Sequence, residues 1–376
     1  MRRGLFALVT AGLLALSGLT GCTSDGDGNS NGQKTGGPAL VGVILPDTTS
    51  SPRWKTHDPR NLQRAFDEAD VPVDIQNAFG DRARFEQIAD DMIARGVKVL
   101  MIVSLDATSG AAVLAKARAA NVKTIDYDRL TLDGGADYHV GFDNVEAGKL
   151  QGKGLVDCLE AGNAVNPVVA ELNGPGTDNN ATLLKQGYDS VLQPKYDEAE
   201  YTKGPDQDVT DWLSVEGAAT FERMLKQQPK IGGVLAANDN LAAAVIGVLK
   251  KHGLNGKVPV AGQDATVEGL RNIITGDQCM TVYRAIGPEA QAAANLAIDL
   301  YHGWKPSPES LGLGGRAELG QIKDPESGAY IPFLGLKPEL ITMSNIQTLI
   351  NDSFVFASEL CAGEPYARLC LENGIL

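Results

Sequence analysis

Residues 97–128 read VKVLMIVSLDATSGAAVLAKARAANVKTIDYD, and they contain a complete strand–helix–strand unit. The apolar, β-branched run at 97–103 predicts a buried strand, and 122–127 predicts another. The small and apolar residues at 111–120 predict the helix between them. Because a helical crossover returns the chain to the same end of the sheet, the two strands are expected to be parallel. This stretch therefore predicts a parallel sheet covered by helices.

The same alternation extends in both directions. Upstream, an apolar strand at 40–45 ends at Pro46, and helical spacing follows at 62–66 and 85–93. Downstream, strands are predicted at 139–142, 167–172, 231–236, 258–261 and 279–284, and helices at 147–159, 182–192, 215–227, 241–251 and 267–275. The chain has 376 residues, about twice the usual domain size. We therefore expect an α/β fold with two doubly wound parallel-sheet lobes.

Composition and missing motifs narrow the possible functions. The formal net charge of -14 argues against a nucleic-acid partner, which normally requires a basic surface. The sequence contains no Gly-x-Ser-x-Gly elbow, no Walker loop and no dinucleotide fingerprint after a strand. The four histidines are scattered and no Cys-x-x-Cys is present, so we expect neither a metal nor a cofactor. We expect a binding protein that is not an enzyme, although a secreted glycosidase remains an alternative because many carboxylates are available.

The first 21 residues predict a signal for export. Two arginines precede an apolar run at 5–16 that is too short to span a membrane. The tetrad LTGC ends at Cys22 and resembles the lipobox of bacterial lipoproteins, in which the cysteine is lipidated and becomes the mature N-terminus. We expect 1–21 to be a lipoprotein signal peptide, with an ordinary signal peptide as the alternative. The small, polar residues at 22–38 are typical of a flexible tether.

Four further cysteines predict two disulfides, because exported chains meet oxidising conditions. Cys361 and Cys370 flank a short turn near the C-terminus and are expected to pair locally. Cys158 and Cys279 then pair by elimination.

Polar residues follow nearly every predicted strand. Each cluster alone is typical of turns and helix caps. Together they predict one site, because the carboxyl ends of parallel strands meet at one edge of the sheet. Carboxylate, amide and guanidinium groups pair well with the vicinal hydroxyls of a sugar, and Trp54 and Trp212 could either cover its apolar face or pack locally under loops. The clusters are Asp47, 126–129, 143–144, Asn173 with 178–180, 238–240 and 263–264.

Eight motifs make the pattern specific. They are Arg53-Trp54-Lys55, Tyr127-Asp128-Arg129, Phe142-Asp143-Asn144, Asp178-Asn179-Asn180-Ala181, Asp211-Trp212-Leu213, Ala237-Asn238-Asp239, Gly262-Gln263-Asp264-Ala265 and Met280-Thr281-Val282-Tyr283. In this order they resemble the xylose-binding branch of the type I periplasmic sugar-binding proteins of ABC importers, from about 41 to 285.

The resemblance implies a ligand cleft between two lobes joined by three crossovers. The expected N-terminal lobe comprises 39–142 and 285–331, and the C-terminal lobe comprises 143–284 and 332–376. Residues 304–331, which depart most from the family, are expected to form an extended loop. Within the expected ligand site, Asp178 and Asp239 lie behind the contacts and Trp212 stacks on the sugar. The expected ligand-binding residues are Arg53, Trp54, Lys55, Asp128, Arg129, Asp178, Asn180, Trp212, Asn238, Asp239, Asp264 and Arg284.

Two departures from the family concern the identity of the sugar. Arg284 stands where the family commonly has lysine, and the two cations do not form the same hydrogen bonds. Lys55 comes one position earlier than in a typical Arg-Trp-x-Lys.

The resemblance also implies the function. We expect a monomeric, extracytoplasmic lipoprotein, anchored to the cell membrane, that binds a xylose-like monosaccharide and delivers it to the permease of an ABC importer. A sensor that presents sugar occupancy to a membrane kinase is the alternative within the same fold. A repressor-type regulator shares the fold, but the export signal and the missing DNA-binding head oppose it.

Overall fold

The computed structural model describes residues 40–312 and 317–375. The expectations for 1–39 therefore lie outside the described residues. The first part of the chain alternates strands and helices and builds most of one lobe. Its elements are β1 (Val41–Leu45), α1 (Arg53–Glu68), β2 (Val73–Asn77), α2 (Arg82–Ala94), β3 (Val99–Ile102), α3 (Ala107–Ala119), β4 (Lys123–Tyr127) and β5 (Tyr138–Phe142).

The middle of the chain builds the second lobe. Its elements are α4 (Asn144–Ala161), β6 (Val168–Asn173), α5 (Asn179–Asp197), β7 (Thr202–Asp208), a 3₁₀ turn (Thr210–Trp212), α6 (Ser214–Gln227), β8 (Ile231–Ala236), α7 (Asp239–Lys251), β9 (Val260–Ala261), α8 (Val267–Thr275) and β10 (Thr281–Tyr283).

The last part of the chain returns to the first lobe and then completes the second. Its elements are α9 (Ile286–His302), β11 (Ala317–Lys323), β12 (Tyr330–Leu336), β13 (Glu339–Ile341), α10 (Gln347–Asn351), α11 (Ala357–Leu360) and α12 (Tyr366–Glu372).

The first sheet has the strand order β11-β12-β5-β4-β3-β1-β2 within the described residues. All neighbouring pairs are parallel except β11 and β12, which form an antiparallel hairpin at the edge. Helices α1 and α9 pack on one face, and α2 and α3 pack on the other. Because both faces are covered, β1 and β3 are fully buried, as their continuous apolar sequences predict.

The second sheet has the order β7-β6-β8-β9, and a parallel bridge between Ala261 and Met280 extends it to the antiparallel pair β10 and β13. Helices α4 and α5 pack unusually closely on this sheet, because glycines face each other at their contact. A Cβ atom on Gly148 would lie 2.1 Å from the Leu184 carbonyl oxygen, and one on Gly187 would lie 2.2 Å from the Val145 carbonyl oxygen. This close approach brings the N-termini of α4 and α5 together at the edge of the site.

Three crossovers join the two sheets within the described residues: β5 to α4, β10 to α9, and β12 to β13. The expected boundary between 331 and 332 falls inside β12. Residues 333–336 of that strand pair with β5, so they belong to the first sheet and the crossover follows Leu336. The loop expected at 304–331 is also corrected, because Ala317–Lys323 form β11 along the whole length of β12.

The structure contains both expected disulfides. One joins Cys158 of α4 to Cys279 just before β10, and the other joins Cys361 to Cys370 of α12. In the described ranges, no helix is both long and apolar enough to cross a bilayer.

Candidate functional site

The carboxyl ends of the two sheets face each other across a cleft, where polar residues of both lobes line a cavity. Nine of the twelve expected ligand residues line it, whereas Arg53, Lys55 and Asp239 do not. Four lining residues were not predicted. The cavity is lined by Ser50, Ser51, Trp54, Asp128, Arg129, Asp178, Asn180, Leu184, Trp212, Asn238, Gln263, Asp264 and Arg284.

Asp128 lies where the two lobes and a crossover meet. It follows β4 with a left-handed φ of 63°, and its backbone N–H donates to the Val140 carbonyl at 2.7 Å. Its Oδ1 accepts hydrogen bonds from Arg53 Nη1 at 2.9 Å and Arg284 Nη1 at 3.1 Å, and its Oδ2 accepts one from Asn180 Nδ2 at 3.1 Å. Burial opposes the ionised form, but these two arginines and Arg129 outweigh it and lower the pKa of Asp128. Asp128 is therefore a carboxylate at neutral pH.

Arg53 supports this carboxylate from outside the cavity. Its guanidinium is 1% exposed and forms a bidentate pair with Asp58, with N–O distances of 2.9 and 2.7 Å. It also donates to Glu289 at 2.6 Å and lies 4.2 Å from the ring centre of Trp54. Burial opposes its charge, but Asp58, Glu289 and Asp128 raise its pKa well above the usual value. Since its donors are engaged in this network, Arg53 orients Asp128 and does not reach the cavity.

Lys55 also differs from expectation. It lies on the exposed side of α1, two positions from the buried Arg53, and it does not line the cavity. Residues separated by two positions on a helix project in different directions, so the Arg-Trp-Lys motif cannot bring both cations to one ligand.

Arg284 links Asp128 to the second lobe. Its Nη2 donates to Asp264 Oδ1 at 3.0 Å, while its Nη1 holds Asp128. Burial disfavours its charge, but the two carboxylates raise its pKa. Asp264 is fixed by its backbone N–H, which donates to the Val282 carbonyl at 2.8 Å, and has a φ of 99° that L-residues rarely adopt. This strained turn points the carboxylate into the cleft.

Asp239 lies behind that turn and is 1% exposed. It accepts hydrogen bonds from Gln278 Nε2 at 2.8 Å, Thr281 Oγ1 at 2.9 Å and Thr266 N–H at 2.8 Å. Burial raises its pKa to about 7. The side chain therefore holds the 262–266 turn together and has no ligand-facing surface.

Trp212 forms one wall of the cavity. It ends the 3₁₀ turn with a left-handed φ of 59°, and its Nε1 donates to Asp178 Oδ2 at 3.1 Å. The same carboxylate pairs with Arg129 Nε of the first lobe at 3.2 Å. The indole lies directly over Gly174, where a Cβ atom would be only 2.2 Å from the ring. The aromatic wall thus depends on the missing side chain at Gly174.

Two asparagines are placed by helix N-termini. Asn238 caps α7 by accepting from the Leu241 N–H at 2.9 Å, which leaves its amide NH₂ for the cavity that it lines. Asn180 lies in the first turn of α5, and its Oδ1 accepts from Asn144 Nδ2 at 3.0 Å. The strand-end clusters therefore do serve as caps and turns, and some of the same residues also face the cavity.

The arrangement is suited to binding a polar ligand. It brings two tryptophans, fixed carboxylates, guanidinium groups and amides to one interlobe cavity. No group of three or more His, Cys, Asp or Glu side chains is placed to hold a metal ion among residues 40–312 and 317–375.

Comparison with known proteins identifies the family. Residues 41–304 match the periplasmic binding protein domain. The chain belongs to the type I periplasmic sugar-binding proteins. It is 33% identical to the D-xylose-binding periplasmic protein of Escherichia coli K12, over 85% of this chain and 92% of that protein. This places it in the xylose-binding branch, as the motifs predicted.

Two further proteins are similar to the chain. The multiple sugar-binding periplasmic receptor ChvE of Rhizobium radiobacter is 31% identical over 85% of this chain and 92% of its own length. A carbohydrate transporter solute-binding protein of Chloroflexus aurantiacus, solved with D-glucose, superposes with a TM-score of 0.76 at 28% identity, covering 85% of this chain and 98% of that one. Members of this family are solute-binding proteins, so the prediction that the chain is not an enzyme is confirmed. Its location is extracytoplasmic.

The four cavity residues that were not predicted differ in how clearly the sequence marks them. Gln263 lies inside the Gly-Gln-Asp-Ala motif and could have been named with Asp264. Ser50 and Ser51 follow β1 in a run of small polar residues, which is indistinguishable from an ordinary loop. Leu184 shows only the helical spacing of α5, which is typical of a core residue.

Proposed function

We propose that this protein binds a xylose-like monosaccharide in the interlobe cavity and delivers it to the permease of an ABC importer. The observation that carries the proposal is that Trp54 and Trp212 line the same interlobe cavity as fixed polar groups from both lobes. Tryptophan faces cover the C–H side of a pyranose, and the carboxylates accept hydrogen bonds from its hydroxyls. The named ligands of relatives, D-xylose and D-glucose, belong to this class.

Binding would favour the closed arrangement of the lobes. Ser51 donates to Asp264 at 3.4 Å, Asn240 Nδ2 donates to the Ser50 carbonyl at 3.2 Å, and Arg129 pairs with Asp178, so lobe-to-lobe contacts surround the cavity. A sugar that touches residues of both lobes interacts more strongly with the closed form than with an open one. Its binding energy therefore shifts the population to the closed form, which the permease would recognise.

Isothermal titration calorimetry with D-xylose, D-glucose and other aldoses tests the proposal. Asp264→Asn keeps the size of the side chain but removes its charge, and Trp212→Ala removes the aromatic wall. Each is expected to weaken binding by about 5- to 150-fold, which corresponds to about 1–3 kcal/mol. Lys226→Gln is the control, because Lys226 is exposed, lies outside the cavity and pairs with Glu222 at 3.4 Å. Absence of heat with every monosaccharide, or full affinity in both site variants, contradicts the proposal.

We also propose that Cys22 carries a lipid anchor. The LTGC tetrad and the polar residues behind it support this. Mass spectrometry of the mature N-terminus should find a diacylglycerol on Cys22, and Cys22→Ser should be released from membranes or processed abnormally. An unmodified N-terminus at another residue refutes the anchor and leaves sugar binding untouched.

A further inference from the structure

An aromatic cluster lies at the amino end of the first sheet, the end away from the cavity. The described chain begins there at Leu40, whose carbonyl accepts a hydrogen bond from the Lys98 N–H at 3.0 Å. The Lys98 ammonium lies 4.5 Å from the ring centre of Tyr301 and donates to the Tyr301 carbonyl at 3.3 Å. Next to it, His302 and Trp304 stack with ring centroids 4.3 Å apart. We call Tyr301, His302 and Trp304 the terminal aromatic cluster.

Trp304 is the most exposed tryptophan of the chain. The sequence has three, and Trp54 and Trp212 are 2% and 7% exposed, whereas Trp304 is 59% exposed. It follows Gly303, whose left-handed φ of 74° ends α9 and turns the chain outward. Lys305 comes next and is exposed. The sugar site uses none of these residues.

We propose that the terminal aromatic cluster contacts the surface of the bilayer to which the chain is anchored. This rests on the proposed anchor at Cys22. About 18 residues separate Cys22 from Leu40, so in any conformation they hold Leu40 within about 60 Å of the lipid. The cluster is linked to Leu40 through Lys98, so it lies at the end of the lobe from which the chain leads back to Cys22.

The chemistry of the cluster fits a lipid interface. Tryptophan and tyrosine rings favour the headgroup region, where the apolar ring and its polar N–H or O–H are both accommodated. A neighbouring lysine adds attraction to anionic lipids. Three rings bury too little area for a stable dimer, but the anchor supplies the high effective concentration that makes a weak contact effective. This favours a membrane over a second copy of the chain.

Fluorescence quenching tests the contact without requiring lipidation in the cell. The chain from Cys22 onward contains every residue that the structure describes, and its other four cysteines form disulfides. Its Cys22 thiol can be coupled to a maleimide lipid in vesicles of phosphatidylglycerol and brominated phosphatidylcholine. We expect the loss of the Trp304 emission, because bromine quenches an indole at the headgroup boundary. Trp304→Phe should abolish this quenching. Phe356→Leu changes an exposed aromatic residue of the second lobe and should leave the quenching unchanged.

The outcomes separate the proposals. Quenching that is absent, or equally large in Trp304→Phe, overturns the membrane contact. So does sedimentation of the uncoupled chain as a dimer that Trp304→Phe dissociates, because the cluster would then bind a second copy. Sugar affinity, measured by calorimetry, should be the same in Trp304→Phe and the parent. An unlipidated mature protein in cells would refute the anchor, but the vesicle result would still report whether the cluster touches lipid.

Discussion

Replacing Gly174 by alanine tests whether the aromatic wall shapes the binding cavity. A Cβ atom at this position would lie 2.2, 2.4 and 2.6 Å from three atoms of the Trp212 ring. Ordinary contact begins at 3.4 Å, so the indole must retreat by about 1.2 Å. The backbone cannot yield easily, because Asp211 and Trp212 both already have left-handed φ values, 48° and 59°. We therefore expect the ring to swing away from Gly174 into the cavity.

The magnitude follows from what the displaced ring loses. Its Nε1 no longer reaches Asp178, at 3.1 Å in the parent, and the ring no longer offers its face to the ligand. Overpacking and the lost hydrogen bond each cost about 1–3 kcal/mol. If about 1–3 kcal/mol of this appears in binding, the dissociation constant rises by about 5- to 150-fold.

The assay is calorimetry with the monosaccharide that binds most tightly to the parent, supported by tryptophan fluorescence of the free protein. Gly176→Ala is the matched control, since a Cβ atom there would meet only Asp208 Oδ2 at 3.8 Å. The control should bind like the parent. If Gly174→Ala also binds like the parent and its emission is unchanged, the indole is not held by Gly174 and the reasoning fails.

Three further predictions concern the charged network and the covalent links. Arg284→Lys should weaken sugar binding by about 10-fold or more, because a single ammonium cannot hold Asp128 and Asp264 with the same geometry. Calorimetry at matched pH measures the affinity, and an unchanged affinity contradicts the prediction. Burial raises the pKa of Glu289 to about 8, above its unfolded value, so this group lowers the free energy of unfolding as pH rises from about 4 to 8. Glu289→Gln should flatten that fall in urea titrations, and a parallel pH profile in both proteins would show that Glu289 does not titrate in this range. Removing the Cys158–Cys279 link, which closes a separation of 121 residues, should lower the free energy of unfolding by about 4–5 kcal/mol on the chain-entropy account, and a change near zero in chemical denaturation argues against it.

The strand-end rule predicted most of the cavity, because it depends only on local pattern. Asn180, Asn238 and Asp264 each follow a strand that periodicity alone identifies, and parallel strands present their carboxyl ends at one edge. The same rule cannot predict which side of the site a residue occupies. Asp239 follows β8 as directly as Asn238 does, yet it is buried behind the 262–266 turn.

Arg53 shows why a local sequence motif does not reveal the role of a buried charged residue. Its partners are Asp58, five positions away, and Glu289, 236 positions away. Nothing local marks the distant pairing, since α9 was not among the predicted helices and Glu289 lies in its first turn. In the sequence, an arginine beside a tryptophan in the segment after a strand therefore resembles a ligand contact, but long-range packing makes Arg53 a support for Asp128.

The missed strands have a physical cause as well. β7 has the sequence TKGPDQD and lies mostly exposed at a sheet edge, so it shows neither an apolar run nor alternation. β11 is an exposed edge strand of the hairpin, and its partner β12 supplies the buried residues. An exposed edge strand forms by hydrogen bonding to the adjacent strand, and its own sequence pattern does not reveal it.

The hydrogen bonds at Asp128 indicate how a sugar could couple the lobes. A carboxylate has about four acceptor positions, and here Arg53 and Arg284 fill those of Oδ1 while Asn180 takes one on Oδ2. One position on Oδ2 therefore remains for a donor, such as a ligand hydroxyl. Because the arginines keep the pKa of Asp128 low, that position stays an acceptor throughout the neutral range. A hydroxyl placed there would be held by a carboxylate that already joins the first lobe, the second lobe and the crossover. Any contact that the same sugar makes with Asp264 or Trp212 would then draw the two lobes together.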